Sequence, residues 1–194
     1  MADGISAPPI WLAALEYRAV GERMQLSAVM PAVRRLPAGD GHPVLVLPGF
    51  TAGDGSTQPL RRLLRDLGYR TYGWSLGVNV GPTPQIVRGI FERLEHAHEG
   101  GGPVSIVGWS LGGIYAREMA RARPELVRQV ITLGSPIQMT DHDTSSASPI
   151  WDQLEGLYLS IGDRSVRDAD RPSLPVPATT IYTHTPHNIH KSSN

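Results

Sequence analysis

The sequence predicts an α/β fold, a mainly parallel sheet with helices on both faces, making three layers. Short, mainly apolar and β-branched runs at 44–47, 104–107 and 130–133 read as strands, the first without a polar residue. Helical periods separate these runs, and strands alternating with helices at this spacing argue for parallel pairing. The third observation gives the fold its centre. Gly108-Trp109-Ser110-Leu111-Gly112 joins a β-branched run to a helical pattern, so Gly-x-Ser-x-Gly reads here as strand, sharp turn, helix. The five-residue string alone is weak; the strand before it and the helix after it carry its meaning.

Composition bounds the alternatives. A chain of 194 residues suits one domain with a substantial core. Lys plus Arg equals Asp plus Glu, at 18 each, so no electrostatic signal points to nucleic acid or an acidic membrane surface. The chain has no Cys, hence no disulfide framework or thiolate chemistry. No apolar run approaches a membrane span, and the first residues lack the layout of a signal peptide. The expectation is a cytoplasmic protein without an integral membrane segment.

Residues 1–42 read as an N-terminal helical and connecting segment. Pro8 and Pro9 open a possible amphipathic helix over 10–17, and Arg34, Arg35, Pro37, Gly39 and Gly41 form a surface connection. The core is expected over 43–183. After the strand at 44–47 comes the small-residue loop Pro48-Gly49-Phe50-Thr51. A helix follows with Leu60, Leu63, Leu64 and Leu67 inward, Ser56 or Thr57 as N-cap and Gly68 as C-terminal cap. Residues 69–74 read as a strand and 77–84 as a loop. Residues 85–98 form a helix with Ile86, Val87, Ile90, Phe91 and Leu94 inward, and His96 and His98 on the surface of its last turn.

The helix after Ser110 keeps Ala116, Met119 and Ala120 inward and turns Arg117, Glu118 and Arg121 to water. Pro124 interrupts it, and the strand at 130–133 ends at Gly134-Ser135-Pro136. Residues 137–175 break the rhythm and read as a lid-like insertion. Its Asp141-His142-Asp143 reads as a solvated turn, since three adjacent residues converge poorly on one ion; no metal or other cofactor is expected. A last strand covers 176–182. The 184–194 tail carries His184, His187 and His190 without the partners of a metal tract.

At Ser110 the turn must be so tight that its φ is positive and its hydroxyl stands clear; Gly108 and Gly112 permit that approach. Gly108 to Gly113, the Leu47-Pro48-Gly49-Phe50 loop with Asp54, Ser56 and Thr57, and Leu133-Gly134-Ser135-Pro136 together resemble one branch of the α/β-hydrolases. That branch is the bacterial lipase/esterase-like serine hydrolases, and the resemblance covers roughly 43–183. It implies a small-molecule or lipid ester substrate, Ser110 as nucleophile, and an oxyanion hole from the N–H groups of Phe50 and Leu111. Thr51, Trp109 and Ile137 are the expected substrate contacts.

The resemblance also implies an acid after the strand at 176–182 and a later His. Pro186 stands where the Asp is expected, and the final strand with its His is not found. Three readings stay open: a truncated or altered-end hydrolase, an inactive binding or regulatory relative, and a substitute base from a tail histidine. The strand at 176–182 would then leave an edge open to self-association.

Overall fold

The computed structural model describes residues 36–135 and 173–182. The chain divides into two compact units, Met1–Ala38 and Gly39–Asn194, and the architecture below belongs to the second. The Gly39 N–H donates to Leu67 O at 2.6 Å, and Asp40 and His42 bond within the unit as well. The expected N-terminal helix, the insertion as far as residue 172 with Ile137 in it, and the histidine-bearing tail lie outside the described residues.

Five strands form one sheet among the described residues: β1 (Pro43–Leu47), β2 (Arg70–Tyr72), β3 (Val104–Trp109), β4 (Val127–Leu133) and β5 (Ala178–Ile181). Their order is β2-β1-β3-β4-β5, and each neighbouring pair is parallel. The connecting helices are α1 (Asp54–Asp66), α2 (Pro84–Glu99) and α3 (Leu111–Ala122), with a short 3-10 turn at Pro124–Leu126 where proline ends α3.

Strand alternation sorts the helices into two outer layers. Val44, Val46 and Val107 point to one face and pack with Leu60 and Leu64 of α1, beside Ile131 and Leu133. Leu45, Leu47, Ile106 and Val130 point to the other, against Ile90 and Leu94 of α2 and Ile114 and Met119 of α3. Fully burying a Val, Leu or Ile side chain, as in β1 and β3, is worth about 1.5–3 kcal/mol, so both faces of these strands are committed to the core. The three layers are those expected.

Several local readings need correction. The N-cap of α1 is Gly53, not Ser56 or Thr57, whose hydroxyls donate back to the carbonyls of Gly53 and Asp54. The start moves because Asp54 has long-range partners. Its carboxylate accepts from the N–H of Trp74 at 2.9 Å and of Ser75 at 2.7 Å, tying the first turn of α1 to the end of β2. Trp74 therefore leaves the strand, turning its ring wholly into the core, where it stacks on Tyr115 with centroids 6.0 Å apart. The last strand is likewise shorter than 176–182.

The outer side of α3 is also not what the pattern suggests. Arg117 and Glu118 are buried, and Arg121 Nη1 donates to Glu118 at 2.6 Å. Helical period shows which side of a helix meets the sheet, but leaves open whether the other side meets water. Of the two surface histidines, His96 is exposed and edge-on to Tyr72, while His98 is half-buried. No described helix is long and apolar enough to cross a membrane.

Candidate active site

The strand order reverses between β1 and β3. From β1 the chain crosses to β2 on one side, whereas β3 leads to β4 on the other. The loops leaving these two carboxyl ends diverge, and the crevice between them is where open parallel sheets bind ligands. The loop from Pro48 to Ala52 leaves β1, and Ser110 is the first residue beyond β3.

Ser110 has φ 50° and ψ −117°, a conformation rarely adopted by a side-chain-bearing residue. Its N–H donates to Leu133 O at 2.9 Å. Its carbonyl accepts from the Gly113 N–H and from the Ser135 hydroxyl. The turn is thus bolted to the end of β4. Its flanking glycines are needed for space rather than for φ. A Cβ on Gly108 would run into the backbone of Gly112 and Gly113. One on Gly112 would lie 2.6 Å from Leu47 O and 2.7 Å from Pro48 O. Strand β3, helix α3 and the end of β1 meet there backbone to backbone.

The β1 loop lies beside the serine: a Cβ on Gly49 would sit 3.4 Å from Ser110 Cβ. Neither the Phe50 N–H nor the Leu111 N–H donates a hydrogen bond among the described residues. Leu111 is the first residue of α3, at the positive end of the helix dipole. Thr51 is exposed, at φ 60°, with its N–H on Asn79 O at 2.8 Å. Trp109 is 47 % exposed. It lines an apolar cleft of about 120 Å³ with Val46, Val107, Leu60 and Leu133, on the α1 side of the sheet.

Comparison with known proteins decides the family. The sequence profile described as alpha/beta hydrolase fold matches residues 42–173. The chain belongs to that family. No curated protein matches it by sequence. Among solved structures, Rv0554 from Mycobacterium tuberculosis is similar at 16 % identity and a TM-score of 0.51, covering 74 % of this chain and 72 % of that one. Lipase BlEst2 from Bacillus licheniformis aligns at 16 % identity and 0.50, covering 75 % and 67 %. BpoC from Mycobacterium tuberculosis H37Rv aligns at 21 % and 0.46, covering 61 % of this chain and 46 % of its own. The chain thus spans less than half of BpoC. At these identities the likeness is one of fold.

Within this α/β-hydrolase fold, a second serine has hydrogen-bonded partners that sequence reasoning missed. His42 Nε2 lies 2.8 Å from Ser105 Oγ, and His42 Nδ1 contacts Asp40 Oδ1. The His42 contacts hold the Asp40 carboxyl down at about 2. Residue types and contacts match a Ser-His-Asp relay, but the setting does not. Ser105 is 2 % exposed inside β3, and its Oγ also accepts from Gln129 Nε2 at 3.0 Å. It lies near the amino ends of the strands, where the ladder occupies the backbone N–H groups. The relay clamps the entry of β1 to β3 and β4. Its Asp40–His42 link holds above the ordinary carboxylate range and weakens as pH falls from 3.8 towards 2, through the lowered Asp40 value. Sixty-three residues separate His42 from Ser105, and no local spacing signals the contact.

The described histidines are His42, ahead of β1, and His96 and His98, in the helix that leads to β3; none bonds Ser110. Crowding at the turn gives a direct prediction. Gly112→Ala should destabilise by about 2–3 kcal/mol, because only backbone can yield. Gly55→Ala, in the first turn of α1 with nothing within 4 Å, should stabilise by up to about 1 kcal/mol. Urea midpoints of the two variants measure both; equal shifts would refute the reading.

Proposed function

We propose that this chain is a serine hydrolase acting on carboxylic esters, with Ser110 as nucleophile. The observation that carries the proposal is the strained φ of 50° at Ser110, placed where the strand order reverses. A fold maintains such strain at a non-glycine residue when its surroundings over-determine it, and here the bonds to Leu133, Gly113 and Ser135 do so. The N–H groups of Phe50 and Leu111, unpaired among the described residues, support an oxyanion hole on the loop beside the serine.

In this reading Ser110 Oγ attacks the ester carbonyl carbon as its proton passes to a base. The carbonyl oxygen takes the developing negative charge and is met by the Phe50 and Leu111 N–H groups. Collapse expels the alcohol, which takes a proton, and leaves acyl-Ser110; water then releases the acid and frees the serine. Thr51, Trp109 and Ile137 are assigned to substrate contact, and an apolar acyl or lipid ester suits the cleft beside Trp109. Among the described residues no imidazole or carboxylate bonds Ser110 Oγ, which favours a second reading: an inactive α/β-hydrolase-like protein that binds an apolar ligand or regulates a partner.

Labelling of intact protein with a fluorophosphonate separates the two. An activated Ser110 takes up the label, Ser110→Ala abolishes it and Ser105→Ala leaves it in place; no labelling of the parent protein supports the binding reading. Loss of the His from a triad costs on the order of 10⁶ in turnover. With no imidazole on Ser110 Oγ among the described residues, hydrolysis of an activated short-chain ester is expected only weakly above background. It should vanish in Ser110→Ala and change little when His184, His187 and His190 are all replaced by Ala.

Self-association through β5 belongs to the same proposal. Ile181 and Tyr182 are exposed, and the outer side of β5 has no ladder partner among the described residues. Light scattering should show mass rising with concentration, and Ile181→Lys should suppress the rise. A constant monomer mass for the parent protein would contradict it.

A further inference from the structure

We propose that Asn79 is the positioning residue that holds the β1 loop so that the Phe50 N–H faces Ser110; this rests on the hydrolase reading above. Asn79 lies between β2 and α2 and is fully buried. Its backbone N–H donates to Ala52 O at 2.8 Å, and its carbonyl accepts from the Thr51 N–H at 2.8 Å. Its side-chain Nδ2 donates to Pro48 O at 3.0 Å. These three bonds bracket Gly49 and Phe50 from both sides. Thr51, the next residue, has its φ of 60° on the bonded segment. The loop therefore keeps its turn through Asn79.

The orientation of the carboxamide follows from its donors. The Gly81 N–H reaches Oδ1 at 3.2 Å and can only donate, so the atom it meets is the oxygen. The Tyr115 hydroxyl meets the same oxygen at 3.2 Å. Burial pushes the Tyr115 phenol well above its ordinary value, so it keeps its proton and remains available as a donor. With Oδ1 fixed by these two groups, Nδ2 is aimed at Pro48 O. Tyr115 belongs to α3, the helix that Ser110 opens, so one hydrogen-bonded chain joins the serine's helix to the loop beside it. Flanking Val78 and Val80 are both exposed, while Asn79 between them points inward; a surface loop has turned its one amide into the core.

Asn79→Asp keeps the shape and the acceptor but sets an oxygen against Pro48 O. Tyr115→Phe removes one of the two donors that orient the amide and leaves the rest. The experiment is fluorophosphonate inactivation resolved into kinact and KI, with amide hydrogen exchange on the same proteins. The expected result for Asn79→Asp is a kinact lower by about 10- to 100-fold with KI unchanged, since an oxyanion donor out of place acts on the transition state. Tyr115→Phe should lower kinact by roughly threefold in the same pattern. The Thr51 amide should exchange at least about tenfold faster in Asn79→Asp, while Ile106 and Val107 in β3 keep their protection.

An unchanged kinact in Asn79→Asp overturns the assignment, as does an equal loss in kinact and KI. Should Asn79→Asp fail to fold, Tyr115→Phe decides, and parental kinact and Thr51 exchange in that variant count against the proposal. Should the parent protein not label at all, the hydrolase reading fails by itself. Thr51 exchange then decides whether Asn79 holds the loop: faster exchange in the variant supports it, and parental exchange overturns it.

Discussion

Backbone meets backbone where β3 turns into α3, and the rest of the site depends on that closeness. Gly108 lies against Gly112 and Gly113, and Gly112 lies against the carbonyls of Leu47 and Pro48. A side chain at Gly108 or Gly112 would push α3 off the sheet or away from β1. With both absent, the helix begins directly under the β1 loop, and Ser110 must take the positive φ that the short connection demands. One packing constraint therefore brings together a strained serine, a helix N-terminus and a loop whose Phe50 N–H is unpaired among the described residues.

The two serine settings in β3 and its turn show why geometry outranks residue type. Ser105 has a histidine and an aspartate within bonding contact, yet it is buried inside a paired strand. Ser110 lacks such partners among the described residues, yet it stands at the carboxyl end of the sheet beside the reversal of strand order. A nucleophile needs access for the substrate; Ser105 is sealed in the strand, whereas Ser110 is part-exposed at the start of α3. Hydrogen bonds that resemble a relay serve at Ser105 to lock three strands in register.

Much of this was legible in the sequence, and for identifiable reasons. Apolar runs such as Val44 to Leu47 mark strands because both faces of an inner parallel strand are dry, and the leucines of α1 keep helical period because one side of the helix rests, half-buried, on the sheet. The glycines around Ser110 were legible because their spacing reports a steric need. What escaped was polar and distant. Asn79 reaches Pro48 across 31 residues, Asp54 reaches Trp74 across 20, and neither contact leaves a periodic trace. Asp54 also displaced the expected N-cap of α1, since its carboxylate is taken by the end of β2. The burial of Arg117 and Glu118 was invisible for a related reason: periodicity locates the sheet-facing side of a helix only.

The central claim is that the turn at Ser110 and the loop at Phe50 form one oxyanion-binding site. A crystal structure of the protein phosphonylated by a fluorophosphonate tests it most directly. The account predicts the phosphorus on Ser110 Oγ and its free oxygen within about 3 Å of both the Phe50 and the Leu111 nitrogens. An adduct on another serine, or an oxygen turned away from both nitrogens, would contradict it.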